Sequence, residues 1–262
     1  MTKDDTGHRS VGPLAAAQDI PAAIGLLTRL PIRVDTKMAM QRGARAAWAW
    51  PLVGLIPAIL SAMVGFAALA CGTPALWAAA LALVAQVMVT GAMHEDGLAD
   101  TADGLWGGAT KTRRLEIMKD SRIGAYGVIA LVLSLLLRAT ALAAVLPTYG
   151  AFWAIVVTGL VSRVPMVWMM AFMKNARDGG LSKSVGQVPH NTAFLALGIS
   201  ALAALFLTPY AVVALVFWIG LAVILLAFIA KQKIGGQTGD ILGASQQVTE
   251  IASLAVFAAL LA

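Results

Sequence analysis

Charged residues are scarce in this sequence. Only 12% of its 262 residues are charged, 60% are hydrophobic, and the mean hydropathy is +0.83. A soluble domain carries roughly twice that charged fraction. Several apolar runs reach about 20 residues, enough to cross a bilayer as a helix. The composition therefore disfavours a soluble fold and predicts an all-α, polytopic integral membrane helical bundle.

Cysteine is almost absent, since Cys71 is the only one. A single thiol cannot build a disulfide framework or a thiolate metal site. A secretory signal peptide is not expected either. Residues 1–13 are polar, and the apolar run that follows is interrupted by Asp19 and Pro21.

The apolar segments predict about seven transmembrane helices. Residues 1–13 are expected to be a flexible polar tail, and residues 14–30 are too interrupted to span, which indicates an interfacial or re-entrant helix. Residues 14–262 then form a single membrane-embedded domain. The predicted spans are residues 46–70, 75–93, 124–146, 150–173, 192–207, 210–230 and 241–262.

Lysine and arginine alternate completely between the connections of this seven-span arrangement. Seven precede the first span, and the loops after spans two, four and six carry five, three and two. The turns after spans one, three and five carry none, and neither does the C-terminus. This asymmetry predicts a multi-pass protein of the inner membrane with the N-terminus and every polar loop in the cytoplasm. The pI near 9.8 therefore reflects orientation in a lipid bilayer and not nucleic-acid binding.

Acidic residues and glycines are concentrated between Met93 and Gly127, where six of the thirteen acidic residues lie. On a helix, Asp96, Asp100 and Asp103 fall within an arc of roughly 60°. Three carboxylates on one stripe repel one another unless a cation lies between them. The pattern predicts an all-oxygen site for a hard divalent ion such as Mg²⁺, with Mn²⁺ as a substitute. The alternative is an ordinary acidic loop with turn glycines.

Three glycines, Gly97, Gly104 and Gly108, line a neighbouring flank of the same predicted helix. Each costs roughly 1 kcal/mol of helix stability relative to alanine. We expect this cost to be offset by close approach of a substrate or of another helix.

Ionisable residues also occur inside the predicted spans. Arg138 and Arg163 need a partner or a water-filled cavity there, unless they extend to an interface. Asp240, Gln247 and Glu250 follow one stripe of the last span, and Glu250 lies about 15 Å from Asp240 along the axis. At that depth the Glu250 carboxylate is expected to be buried inside the protein. Its candidate partner is Arg138 or Arg163.

The motifs of the chain resemble those of the cobalamin synthase family, the adenosylcobinamide-GDP ribazoletransferases. The acidic run from Glu95 to Gly104 and the segment from Lys119 to Gly127 carry the resemblance. So do three further motifs in matching order, at residues 27–31, 50–54 and 235–244, and Glu250 after them. The resemblance implies that residues 14–262 form a catalytic domain.

The resemblance further implies a phosphoryl-group transfer and assigns roles to the charged residues. The donor would be adenosylcobinamide-GDP and the acceptor α-ribazole or its 5′-phosphate, with GMP released. Asp96, Asp100, Asp103 and Asp120 are the predicted metal ligands, and Asp96, Asp100, Asp103 and Glu95 the predicted catalytic residues, Glu95 as ligand or base. The predicted substrate-binding residues are Lys119, Arg122, Arg163, Arg29, Asp178 and Asp240.

Three alternatives remain at this point. CDP-alcohol phosphotransferases share a similar aspartate–glycine pattern, but this chain has Ala99–Asp100 where they have an alanine–arginine pair. A transporter could use the intramembrane charges as a cation or proton pathway. A corrinoid-binding membrane scaffold without activity is the third. Each of these three alternatives is compatible with an oligomeric protein.

Overall fold

A computed structural model of the chain describes residues 13–262, and its helices and 3₁₀ segments account for all the regular elements in that range. The predicted tail, residues 1–13, lies outside the described residues except for Pro13. Short 3₁₀ segments occur at Gly43–Ala49 and Pro209–Ala211. The helices are α1 (Asp19–Leu27), α2 (Thr36–Arg42), α3 (Trp50–Val53), α4 (Leu55–Ala70), α5 (Ala75–Thr90), α6 (Met93–Gly107), α7 (Lys111–Ile117), α8 (Ala125–Val145), α9 (Ala151–Val161), α10 (Val164–Phe172), α11 (Leu181–Val185), α12 (His190–Leu207), α13 (Val212–Ile234) and α14 (Gly239–Leu261).

Six helical stretches of the described chain are long and apolar enough to cross a membrane. Helices α5 and α6 are also long and apolar enough when they are taken together as one bent span. The number of spans is then up to seven. The all-α, polytopic architecture is thus confirmed, and the predicted N-terminal segment contains a helix, α1, that is too short to span. The six stretches are Thr36–Ala70, Ala125–Val145, Ala151–Phe172, His190–Leu207, Pro209–Ile234 and Gly239–Leu261.

The second predicted span differs from a straight helix through residue 93. Helix α5 ends at Thr90, and α6 leaves it at an angle of 90°. The turn is made by two successive residues in the left-handed region, Gly91 with φ 66° and Ala92 with φ 57°. A right-handed helix cannot continue through such a pair. Ala92 is the one non-glycine residue with positive φ between residues 13 and 262.

The first predicted span starts earlier than residue 46, because α2 and the 3₁₀ segment continue it towards the N-terminus. A buried ion pair fixes this region. The fully buried carboxylate of Asp19 accepts hydrogen bonds from Arg42 Nε, 2.7 Å, and Trp48 Nε1, 2.7 Å. Burial raises the pKa of Asp19, but these hydrogen bonds outweigh it and leave the pKa below its usual value. Helix α1 is thereby tied to the start of the first span.

Helix α14 lies at the centre of the bundle and packs against α6, α8, α9, α10 and α13. Most of its side chains from Ile241 to Phe257 are buried, including several polar ones. Helix α13, in contrast, exposes large apolar side chains such as Phe217, Trp218 and Phe228. These are the faces that a bilayer would cover, and they leave the polar chemistry to α14 and its neighbours.

Candidate active site

Helix α6 carries the predicted acidic stripe, so the helical interpretation of this stretch is confirmed. Asp96 is exposed, Asp100 is half-buried and Asp103 is buried. A negative charge on the Asp100 carboxylate is repelled by Asp96 and Asp103 of the same helix and by Asp240 of α14. Negative charge from two helices therefore converges at this place.

Glycines bring those two helices together. A Cβ atom on Gly97 would lie 2.9 Å from the carbonyl oxygen of Asp240 and 3.1 Å from the Cα of Gly243. Small residues at a crossing allow two backbones to approach closely. Gly104 lies in the same way against the Met118 side chain and the Arg114 carbonyl, and Gly108 lies against the Arg114 backbone. The expected close approach is thus made by α14 at Gly97. At Gly104 and Gly108 it is made by α7 and Met118, the residue after α7.

The motif at residues 235–240 determines where α14 starts. Gly235 ends α13 in the left-handed region, with φ 81°. Thr238 caps α14, since its hydroxyl accepts the N–H of Ile241 at 3.3 Å and donates to Asp240 Oδ2 at 3.1 Å. The Asp240 side chain is therefore held at the first turn of the helix.

The same motif places an arginine opposite Asp240. The backbone of Gln237 pairs with residues 174–176, donating to Lys174 O at 2.9 Å and accepting from Ala176 N at 2.8 Å. A Cβ on Gly236 would clash with the Lys174 carbonyl, so glycine permits this pairing. The next residue along, Arg177, reaches Asp240 with Nη2 3.3 Å from Oδ2.

A cleft of about 150 Å³ opens beside this ion pair, and we call it the acidic cleft. His94 lines it from α6, and the Nε2 atom of His94 is buried without a hydrogen-bond partner among the described residues. A buried polar atom without a partner is costly, which makes such an atom a candidate ligand contact. The acidic cleft is lined by Trp50, His94, Asp96, Arg177, Asp240 and Gly243, among others.

Two further cavities share residues with the acidic cleft. The apolar cavity, about 330 Å³, shares Leu26, Trp50 and Val185 with it and has no charged side chain in its lining. The lysine cavity, about 360 Å³, shares Met170 and Ser182. The three spaces therefore adjoin one another around the short helix α11.

Arg138 forms the centre of a buried polar network in the interior of the bundle. It is fully buried, and it donates hydrogen bonds to Glu95 Oε1 at 2.9 Å and Glu250 Oε1 at 3.0 Å. Gln86 and Gln247 accept further hydrogen bonds from it at 3.1 Å and 2.9 Å. The predicted pairing of Glu250 with Arg138 is confirmed, and extension of Arg138 to an interface is wrong.

Glu95 and Arg163 lie in this interior. Glu95 faces Arg138 and has one unpaired oxygen, Oε2, among the described residues. Arg163 is 2% exposed and donates to Gly159 O and Ser162 Oγ. It lines none of the three cavities around α11, so its placement does not favour the predicted substrate contact. Two arginines and two glutamates balance the charge of the interior.

Asp103 has a structural partner that the acidic stripe did not indicate. Its Oδ2 accepts the N–H of Gly124 at 2.7 Å and its Oδ1 accepts the N–H of Gly127 at 2.9 Å. These are the first residues of α8, so Asp103 caps that helix from another part of the chain. The glycines are needed because a Cβ on either would contact the carboxylate.

The remaining predicted residues do not join the acidic cleft. Asp120 pairs with Arg122, Oδ2 to Nη2 2.6 Å, and the hydrogen bonds from Arg122 lower the pKa of Asp120. Lys119 and Asp178 are exposed, and the backbone N–H of Arg29 donates to Val89 beside the bend after α5. No three His, Cys, Asp or Glu side chains between residues 13 and 262 are gathered closely enough to hold one metal ion. The four predicted metal ligands are thus separated here.

Sequence reasoning missed Arg177 and the amide residues of the interior. In the sequence, Arg177 contributes only to the basic charge of the loop after span four, where it precedes the predicted substrate-binding residue Asp178. Gln86 and Gln246 each donate to Glu250, at 2.9 Å and 2.6 Å. A glutamine within an apolar span was the available signal, because a buried amide needs a partner.

Comparison with known proteins identifies the family. The model of a family described as cobalamin-5-phosphate synthase matches residues 19–258. A protein of Bradyrhizobium diazoefficiens named adenosylcobinamide-GDP ribazoletransferase is 42% identical over 92% of this chain and 93% of its own. Relatives with the same name from Rhizobium meliloti and Brucella ovis are 41% and 40% identical, covering 92% and 90% of this chain and 95% and 94% of their own. No solved structure matches. The chain belongs to the cobalamin-5-phosphate synthase family.

Proposed function

We propose that this membrane enzyme joins adenosylcobinamide-GDP to α-ribazole or its 5′-phosphate. The product is adenosylcobalamin or its 5′-phosphate, and GMP is released. Relatives that match over most of their length are named for this transfer. The observation in the structure that supports it is the acidic cleft, where carboxylates from α6 and α14 converge beside Arg177.

Mg²⁺, with Mn²⁺ as a substitute, is the proposed cofactor, and Asp96 and Asp240, the two carboxylates that line the acidic cleft, are the residues that would hold it. Their oxygen donors and mutual repulsion fit Mg²⁺, which proteins commonly hold with one or two carboxylates together with substrate phosphates. Asp103 and Asp120 fit less well, because Gly124, Gly127 and Arg122 already occupy their oxygens. When bound, such an ion offsets phosphate charge and orients the reacting groups.

The chain's own residues would bind the phosphates and move the proton. The 3′-hydroxyl of the ribose attacks the phosphorus next to cobinamide, and the bond from that phosphorus to GMP breaks. His94 Nε2, which lines the cleft and lacks a partner among the described residues, is placed to accept the hydroxyl proton. Arg177 is placed to hold the phosphate oxygens once it leaves Asp240.

The acidic cleft is proposed to open on the cytoplasmic side of the inner membrane. The N-terminus lies on the same side. The segregation of lysine and arginine supports this orientation. The transporter alternative has less support, because the intramembrane charges Arg138, Glu95 and Glu250 are paired with one another in the interior.

Mixing the purified protein with both substrates and Mg²⁺, and following GMP and the cobalamin product by chromatography and mass spectrometry, tests the proposal. The His94→Gln variant should bind both substrates with a much reduced rate. Binding of both substrates by the wild-type protein without GMP release would support the scaffold alternative and overturn the proposal.

A further inference from the structure

The lysine cavity has a chemistry unlike that of its neighbours. Lys174 and Lys183 line it, and its lining contains no acidic residue. Neither lysine forms an ion pair with any other residue of the described chain. Two cations without counter-charges beside a cavity indicate a site for an anion.

Amide and hydroxyl groups are also held in place around this cavity. Ser182 donates to Gln237 Oε1 at 2.8 Å and accepts from Asn175 Nδ2 at 3.3 Å. Gln187 donates to Ala171 O at 3.2 Å. The backbone pairing of Asn175 with Gln237 fixes the same wall. Such preorganised donors and acceptors suit the edge of a nucleobase better than a lipid or a corrin ring.

The position of the cavity relates it to the reacting phosphorus. It shares Ser182 and Met170 with the acidic cleft, and at about 360 Å³ it is within the size range of small-molecule sites, roughly 300–1,000 Å³. The apolar cavity on the other side of α11 has no charged lining, so it offers nothing to a phosphate. A bound phosphoanhydride could therefore extend from the acidic cleft into the lysine cavity.

We propose that the lysine cavity binds the guanosine monophosphate portion of the donor, which is the leaving group. The assignment rests on the proposed function for the identity of the donor. Lys174 and Lys183 would hold the departing phosphate, and the amides around Ser182 would contact the base. The phosphate leaves with the electron pair of the broken phosphorus–oxygen bond, and the lysine charges stabilise it.

Calorimetric titration of the purified wild-type protein with GMP, AMP and inorganic phosphate tests the assignment. Wild-type protein should bind GMP more tightly than AMP and much more tightly than phosphate. Lys183→Met and Lys174→Met should each weaken GMP binding about tenfold, because each removes a charge-assisted hydrogen bond. Lys183→Arg should retain most of the affinity.

Lys231→Met is the matched control, since Lys231 is exposed, as Lys174 and Lys183 are, but lines none of the three cavities. Its GMP affinity should equal that of wild type. Steady-state kinetics should show a raised KM for the donor in Lys183→Met and an unchanged KM for α-ribazole.

The outcomes separate the two proposals. GMP binding that depends on the lysines, without any transfer activity, would retain the nucleotide site and reject the proposed reaction. Normal transfer with unchanged GMP affinity and donor KM in both methionine variants would overturn the nucleotide site alone. Equal affinity for GMP, AMP and phosphate would overturn the contact with the base.

Discussion

The carboxylate of Asp103 accepts the backbone N–H of Gly127 at 2.9 Å, across 24 residues of sequence. Its other oxygen accepts Gly124 at 2.7 Å. One residue of the acidic stripe thus stabilises the start of α8, while Asp96 lines the acidic cleft. The stripe divides into a structural part and a part suited to chemistry.

Substitution of Asp103 should lower stability. Asp103→Asn keeps the shape but directs an amide N–H₂ group at a backbone donor, so one buried hydrogen bond is lost, about 1–3 kcal/mol. Gly127→Ala should have a similar effect, because its Cβ would contact the same carboxylate. Unfolding in detergent, followed by circular dichroism, measures both.

Gly198→Ala is the control for these variants, since a Cβ there meets no atom within 4 Å. It should not reduce stability. Asp103→Asn with wild-type stability and a lost metal response would show instead that Asp103 is a metal ligand.

Substitution of Asp96 or Asp240 should remove metal binding without unfolding the protein. Asp→Asn keeps size but removes the charge that a hard cation requires. Loss of about 4 kcal/mol of transition-state stabilisation would lower the rate roughly a thousandfold. Electron paramagnetic resonance of bound Mn²⁺ measures the site independently of activity.

Chelator should abolish wild-type activity, and Mg²⁺ or Mn²⁺ should restore it. Glu116→Gln, at an exposed carboxylate outside the acidic cleft, is the matched control. Retained Mn²⁺ binding and near-normal specific activity in the Asp96 and Asp240 variants would reject the metal proposal.

Glu250→Leu should be strongly destabilising. It leaves the fully buried Arg138 with a single carboxylate partner, Glu95, and loss of one partner of a buried pair costs about 3–5 kcal/mol. Glu250→Gln should cost less, because it can still accept a hydrogen bond. Titration with a denaturing detergent ranks the variants, and a fully stable Leu variant would contradict an interior role.

Reporter fusions test the proposed orientation. Fusions after Asp120 should report the cytoplasm, and fusions after Thr73, Thr148 and Ala262 the opposite side, because lysine and arginine are confined to alternate connections. A cytoplasmic signal at Thr73 or Thr148 would reject the arrangement. Loss of the cytoplasmic signal at Asp120, together with cytoplasmic signals at Thr148 and Ala262, would indicate that the bent pair of α5 and α6 does not cross.

The amino-acid sequence by itself determined the class of the protein and the helices. Apolar runs of about 20 residues are a local property, and so is the spacing that puts Asp96 and Asp100 on one face of α6. The position of Glu250 deep in the last span likewise predicted that it is buried, because a carboxylate at that depth requires a cation.

The tertiary structure alone decided which partner each charge has. Asp103 accepts the backbone N–H of Gly124, and Arg177 meets Asp240, because chain segments far apart in sequence pack together. The sequence pattern likewise does not predict the bend at Ala92, because alanine ordinarily continues a helix. Helical periodicity records the direction of a side chain from its own axis, whereas partners and cavities depend on how the axes cross, and that is settled by long-range packing.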